Sequence, residues 1–174
     1  MITPYVVWGL IQADNAGYKL ASDTTIKRGL ERIRQLMESR GDGQLSDRVY
    51  LMYVYGQRNR LSDAHWAWLM ARSPRLSDYA LSLALQMAVD RKDRTNADRM
   101  ATALRDRAVR DATGLHWRTG SFSRWGEDPF ETTAVALDAL VSYDRVVASA
   151  PACHRKVEMS GSVQSRNVRF GWAS

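Results

Sequence analysis

The chain has almost no cysteine, since Cys153 is the only one in 174 residues. A lone thiol cannot form an internal disulfide, and no second cysteine or histidine pair stands at zinc-ligand spacing around it. No run of about 18 apolar residues occurs, so no membrane-spanning helix is predicted. The first residues, MITPYVVWGLIQADNAGY, lack the basic segment and the small-residue cleavage site of a secretory signal. These absences exclude a disulfide-stapled fold, a local zinc site and a membrane span.

Clustered positive charge is missing from most of the chain. The net charge is +6, but residues 1–144 carry 20 Lys and Arg against 18 Asp and Glu, which leaves +2. Residues 145–174 carry five basic residues and one acidic residue, which leaves +4. A nucleic-acid-binding domain concentrates basic residues on its folded surface. The charge pattern therefore predicts no nucleic-acid partner.

Apolar residues recur at helical spacing along most of the chain, most clearly where Ile26, Leu30, Ile33 and Met37 form one stripe. Serine, aspartate and glycine residues at the ends of these segments supply start and stop signals, with Gly17 ending the first helix. The pattern predicts seven helices, at residues 4–16, 23–39, 47–58, 63–71, 78–91, 96–110 and 129–144. Because the first helix starts almost at Met1, we expect the chain to begin inside a larger domain.

The predicted helices alternate in character along the chain. The first, third, fifth and seventh are apolar around much of their circumference, whereas the second, fourth and sixth look one-sided. A helix that is apolar on several sides is buried, and a one-sided helix lies outside it. Stacked helical hairpins produce this alternation. We therefore predict an all-α fold over residues 1–144, a partial α/α toroid of alternating inner and outer antiparallel helices, followed by a mostly irregular basic tail at 145–174.

The stretch GLHWRTGSFSRWGEDPFETTAVALDAL, residues 114–140, contains the best candidate chemistry. His116, Glu127, Asp128 and Glu131 could form an acid/base or metal site. Alternatively, Asp128 precedes Pro129 and would cap a helix, and Glu131 completes the spacing of a capping box. No second histidine accompanies them at ligand spacing. We therefore predict structural roles for His116, Trp117, Asp128 and Glu131, with no catalytic residue, metal or cofactor.

Aromatic residues offer a second candidate site. Trp66, Trp68, Trp117 and Trp125, together with tyrosines, could line a pocket for a sugar or a terpene. A terpene cyclase would need an aspartate-rich motif, which is absent, and a glycosidase would need two carboxylates facing one pocket. Aromatic residues at helical spacing usually belong to the core. The sequence therefore favours packing roles for these tryptophans.

Three stretches together resemble the thioester-containing domain of bacterial alpha-2-macroglobulins. They are TPYVVWGLIQADNAGYKLASDTTIKRGLERIRQLME, DRVYLMYVYGQ, and the segment from HW at 116–117 to EDPFETTAVALDALVSYD. The resemblance covers roughly residues 3–144, and its specificity comes from the order and spacing of the motifs. It implies an α/α toroid within a protein that traps proteases in the periplasm or cell envelope.

The resemblance also shows what the chain does not contain. The family forms its thioester with a Cys-x-Glu-Gln motif upstream of the matched segment, and Cys153 is followed by His154 and Arg155 instead. The resemblance therefore implies a non-enzymatic scaffold piece, which meets proteases only through the parent macroglobulin. Missing neighbouring helices would also leave open toroid edges, and these favour self-association. Two alternatives stay open: an α/α-toroid enzyme acting on carbohydrate or isoprenoid, and a helical-repeat interaction module.

Overall fold

The computed structural model describes residues 3–112, 114–118 and 128–149. Within these ranges the chain forms seven α-helices and one two-stranded hairpin, so the predicted all-α fold is confirmed. The helices are α1 Thr3–Asn15, α2 Asp23–Ser39, α3 Leu45–Gly56, α4 Asp63–Arg72, α5 Asp78–Asp90, α6 Arg94–Arg107 and α7 Pro129–Ser149. Short 3-10 turns occupy Asp42–Gln44 and Ser73–Arg75, and the antiparallel strands are β1 Val109–Asp111 and β2 Gly114–His116. None of the described helices is long and apolar enough to cross a membrane.

The helices form two layers. The odd-numbered helices lie side by side in the order α1, α3, α5 and α7, and we call them the inner row. The outer helices pack on this row: α2 contacts α1 and α3, whereas α6 contacts α5 and α7. Helix α4 joins α3 through the guanidinium of Arg48, which lies 3.8 Å from the centre of the Trp68 ring. The helices that the sequence pattern marks as inner thus contact each other in one row, and α2 and α6, which it marks as outer, pack on that row.

Side-chain caps begin several helices where serines were predicted to do so. Ser22, Ser62 and Ser77 each accept a hydrogen bond from the backbone N–H three residues further on, at 3.2 Å. Such a cap satisfies one of the unpaired N–H groups of the first turn and is worth about 0.5–2 kcal/mol. Gly17 ends α1 with a φ of 89°, and the N–H of Tyr18 returns to the Ala13 carbonyl at 2.8 Å. This left-handed glycine closes the helix as a Schellman motif.

The sequence pattern misplaced the end of the sixth helix and missed the hairpin. Helix α6 ends at Arg107, and Val109 and Arg110, predicted to be helical, pair instead with His116 and Leu115. Gly114 has a φ of 119°, a backbone conformation that glycine adopts without steric cost. Only three residues make up each strand, too few for an alternating pattern to stand out.

Two other boundaries were wrong. Helix α3 begins at Leu45 because the preceding 3-10 turn runs straight into it, so Ser46 lies inside the helix rather than before it. The Ser46 hydroxyl lies 3.2 Å from that of Ser77. Helix α7 continues to Ser149, which places residues 145–149 in a helix rather than in the irregular tail. Partly buried Val147 packs against the core, and this contact stabilises the added turn.

Gly29 brings α1 and α2 close together. A Cβ atom at this position would lie 2.5 Å from Cγ2 of Val7, a buried and branched side chain that cannot easily move aside. Gly9 on α1 also stands inside a helix, but nothing lies within 4 Å of its hypothetical Cβ. The two glycines therefore form a matched pair that differs in available space.

We expect Gly29→Ala to lower the free energy of unfolding by about 1–3 kcal/mol, because the added methyl group overpacks the contact with Val7. Gly9→Ala should raise it by about 0.5–1 kcal/mol, because alanine has the higher helix propensity. Urea unfolding followed by circular dichroism measures both changes. Equal stabilisation by the two substitutions would contradict the close α1–α2 contact.

Candidate functional site

His116 lies at the end of the hairpin, beside Asp111 on the paired strand. Its Nδ1 is 3.8 Å from Asp111 Oδ2, which suits an ion pair but is too long for a hydrogen bond. The same nitrogen is buried and has no hydrogen-bond partner among the described residues. The described part of the chain also contains no group of three or more His, Cys, Asp or Glu side chains that could hold a metal. His116 therefore has one acidic neighbour and no ligand set.

Trp117 connects the hairpin to two helices. Its side chain is only 1% exposed, and its Nε1 donates to the Leu104 carbonyl on α6 at 2.7 Å. Its backbone N–H donates to Thr133 Oγ1 on α7 at 3.3 Å. An indole with a satisfied N–H and almost complete burial is a packing residue. The structure thus places Trp117 at the junction of α6, α7 and β2.

Asp128 and Glu131 stand at the start of α7 but face different partners. Asp128 Oδ1 accepts from the Phe130 N–H at 2.9 Å, which is what a helix cap does. Glu131 Oε1 accepts from the Tyr79 hydroxyl on α5 at 3.4 Å, a weak and long-range hydrogen bond. The structure therefore connects Glu131 to a neighbouring helix of the inner row. Glu127, the remaining acid of this sequence cluster, lies outside the described residues.

Two of the tryptophans considered for a sugar or terpene pocket, Trp66 and Trp68, contact polar or charged side chains of neighbouring elements. Trp66 is buried and donates to Asp93 Oδ2 at 2.9 Å, which attaches α4 to the start of α6. Trp68 has two guanidinium groups over its ring, with Arg48 at 3.8 Å and Arg72 at 4.6 Å from the ring centre. These rings join helices to each other. Trp125 lies outside the described residues.

A different set of residues gathers across the inner row, and we call it the inner-row face. It contains aromatic rings at one end and polar or acidic groups at the other, contributed by all four odd-numbered helices. Its members are Tyr5, Trp8, Tyr50, Tyr53, Tyr79, Gln86, Asp90, Glu131 and Asp138. Gln86 Nε2 donates to Asp138 Oδ2 at 2.8 Å, so this pair spans α5 and α7 as Tyr79 and Glu131 do.

The two hydrogen bonds between α5 and α7 show how the helices are aligned. Each joins residue i on α5 to residue i+52 on α7. A constant offset over two helical turns requires the helices to run parallel and in register. Tyr5 and Trp8 on α1 complete the aromatic end, with ring centres 6.2 Å apart.

Electrostatic coupling shows that the members of the inner-row face are neighbours. Burial raises the pKa of Tyr50 to about 12, and the negative charge of Glu131 adds to this effect. Burial also raises the pKa of Tyr53; Trp8 offsets part of the rise, and Asp138 and Asp90 add to it. Both phenols therefore stay neutral at physiological pH and keep their hydroxyl protons. The pKa of the Asp90 carboxyl is raised by burial as well.

The sequence contains a signal for this face in the spacing of its residues. Tyr5 and Trp8 stand three residues apart, as do Tyr50 and Tyr53, so each pair shares a side of its helix. Glu131 and Asp138 stand seven residues apart, as do Tyr79 and Gln86. Each spacing is ordinary in a single helix. Only the packing of α1, α3, α5 and α7 in one row brings the four segments together.

Comparison of the chain with protein-family models, with curated protein sequences and with solved structures found no match in any of the three.

Asp90 allows a test of the electrostatics of the inner-row face. Asp90 is an exposed residue at the end of α5, and partial desolvation of its carboxyl raises the folded-state pKa. Ionised Asp90 therefore destabilises the fold modestly at neutral pH, and this effect disappears as the pH falls and both states become protonated. We expect Asp90→Asn to have a higher melting temperature than the wild type at pH 7. The difference should shrink steadily toward pH 3.5, as followed by differential scanning calorimetry. A difference that is constant with pH would mean that the gain is not electrostatic.

Proposed function

We propose that this chain is a non-enzymatic scaffold segment of a macroglobulin-type thioester domain, a partial α/α toroid whose edges pack against further helices. The sequence resemblance over residues 3–144 supports the family. The two-layer alternation of inner and outer helices fits a toroid of this type. Contact with proteases, and a periplasmic or cell-envelope location, belong to the parent protein and are part of the same proposal.

One observation carries the scaffold role: the large exposed apolar side chains lie at the two ends of the helix row. Among the described residues, all of them belong to α1 and the turn after it, or to β2 and α7. They are Tyr5, Val6, Tyr18, Leu20, Leu115, Phe130, Leu137, Val141 and Val146. Helices α2 to α6 expose none. Scattered apolar residues are normal on a surface, but their restriction to both ends marks places built to be covered.

The α7 edge has the shape of a packing surface. Leu137 and Val141, each 45% exposed, lie beside Leu115 of the hairpin in a cleft of about 330 Å³. The floor is apolar, with buried Trp117 and nearly buried Leu140. An ion pair of 2.6 Å between Arg105 and Asp144 lies at its rim. An apolar centre with a charged rim is the usual anatomy of a protein interface.

The geometry of the acidic residues argues against a glycosidase. Glu131 and Asp138 are seven residues apart on one helix, which separates their backbones by about 10.5 Å along the axis. Their bonds to Tyr79 and Gln86, also seven residues apart, keep both carboxylates in that register. Hydrolysis requires carboxyl groups about 5–9.5 Å apart across the scissile bond. The backbone separation of this pair lies just above that range.

We expect the chain to self-associate at high concentration, because the described part of each copy exposes apolar side chains at both ends of the helix row. Static light scattering should show an average mass that rises with protein concentration. The double variant Leu137→Glu, Val141→Glu should stay monomeric over the same range, because charge on the α7 edge opposes burial. The matched control, Ala67→Glu on the exposed side of α4, should associate like the wild type.

Two results would overturn the proposal. A wild-type chain that remains monomeric at millimolar concentration would show that the exposed edges are not packing surfaces. Turnover of any nitrophenyl glycoside that is lost in Glu131→Gln would identify an enzyme instead of a scaffold. The second assay is independent of the first, since Glu131 lies outside the cleft that Leu137 and Val141 line.

A further inference from the structure

The inner-row face has acidic groups that no basic side chain of the described residues neutralises. Within the described residues, no ion pair involves Asp90, Glu131 or Asp138. Ten ion pairs form between other described residues. Glu131 and Asp138 accept hydrogen bonds from neutral groups, namely the Tyr79 hydroxyl and the Gln86 amide. This local negative charge stands out in a chain whose net charge is +6.

Arginine side chains lie over several aromatic rings of this fold. Guanidinium groups cover three rings outside the inner-row face: Arg48 and Arg72 on Trp68, Arg91 on Trp66, and Arg94 and Arg105 on Tyr143, at 3.8–5.9 Å. Tyr5, Trp8, Tyr50 and Tyr53 have no cation over their rings in the part of the chain that the structure describes. Within that part, the face therefore holds rings and carboxylates without the cations that such rings accept.

We propose that the inner-row face binds the arginine or lysine side chains of a basic partner segment. This inference goes beyond the scaffold role, which concerns the edges of the row and not its face. The face of an aromatic ring attracts a cation within about 6 Å, and a nearby carboxylate accepts hydrogen bonds from a guanidinium group. The rings lie at the α1 and α3 end, and the carboxylates of Glu131 and Asp138 lie at the α7 end. A segment crossing the row would meet both.

Neutral phenols support this assignment. A tyrosine is neutral at physiological pH even at its ordinary pKa. The pKa of Tyr50 is raised further, to about 12, with burial as the main cause and Glu131 as the next. A neutral phenol offers its π face to a cation and its hydroxyl as a hydrogen-bond donor or acceptor.

The test uses the full chain and a fluorescent, end-blocked peptide with four Arg-Gly repeats. We expect binding by fluorescence anisotropy at about 50 mM salt, weakened at about 300 mM because the surface charges are then screened. The same peptide with citrulline in place of arginine keeps the shape and loses the charge, and it should not bind. Binding of both peptides with equal affinity would overturn the proposal.

Two double variants locate the site. Glu131→Gln with Asp138→Asn removes two charges, keeps the hydrogen-bonding atoms facing Tyr79 and Gln86, and should weaken binding roughly five- to tenfold. Glu31→Gln with Glu38→Gln makes the same charge change on outer helix α2 and should leave affinity within about twofold. Melting temperatures of both variants check that the fold is retained. Equal weakening by the two pairs, or none by the first, would show that the peptide binds elsewhere.

A third arm distinguishes a cation from a sugar. Aromatic rings with carboxylates also stack on carbohydrate, so the chain is titrated with neutral cellohexaose and chitohexaose while tryptophan fluorescence is followed. Binding of an oligosaccharide, lost in Tyr5→Ala, without binding of the arginine peptide would overturn the proposal in favour of a sugar site. Failure of the peptide to bind leaves the association through the α7 edge intact, because Leu137 and Val141 are not part of this face.

Discussion

The burial of α5 on nearly all sides is the constraint on which the rest of the structure depends. Eight of its thirteen residues are buried, and α3, α6 and α7 all pack against it. Ala80, Ala84 and Ala88 are fully buried and small, which allows neighbouring backbones to approach. A helix surrounded in this way must have partners on both flanks. The inner row and the outer layer are the consequence.

The position of α5 also explains why function concentrates on one face and two edges. Its register with α7 sets the positions of Glu131 and Asp138, because Tyr79 and Gln86 bond to them across the row. The outer helices fill the opposite side of the row with salt bridges and arginine–aromatic contacts such as Arg48 on Trp68. Among the described residues, no helix covers the inner-row face, and none packs beyond α1 or α7 in the row. One packing arrangement thus produces both proposed interaction surfaces.

Most of the helical architecture could be predicted from the sequence, because local signals determine it. The stripe of Ile26, Leu30, Ile33 and Met37 and the serine caps act within a few residues. The hairpin could not be predicted from the sequence, because its six paired residues depend on packing by Trp117 and on the left-handed backbone of Gly114. The predicted start of α3 was also wrong. A 3-10 segment runs into the helix, which therefore begins at Leu45, before Ser46.

The candidate site was less predictable than the fold. His116, Asp128 and Glu131 are close in sequence, and proximity in sequence suggested one cluster. The structure gives them separate partners: Asp111 for the histidine, the Phe130 N–H for Asp128, and Tyr79 for Glu131. The inner-row face is assembled from residues of four helices. Its first and last members, Tyr5 and Asp138, are more than 130 residues apart in sequence. Only tertiary packing makes these residues neighbours.

The central claim is that stability is greatest in α5 and falls toward the two open edges of the row. Native-state hydrogen exchange, measured at low protein concentration and read by mass spectrometry, tests it directly because it reports the opening free energy of each helix. We predict the slowest amide exchange in α5, intermediate exchange in α3, and the fastest among the inner helices in α1 and α7. Protection of α1 or α7 equal to that of α5 would contradict the account.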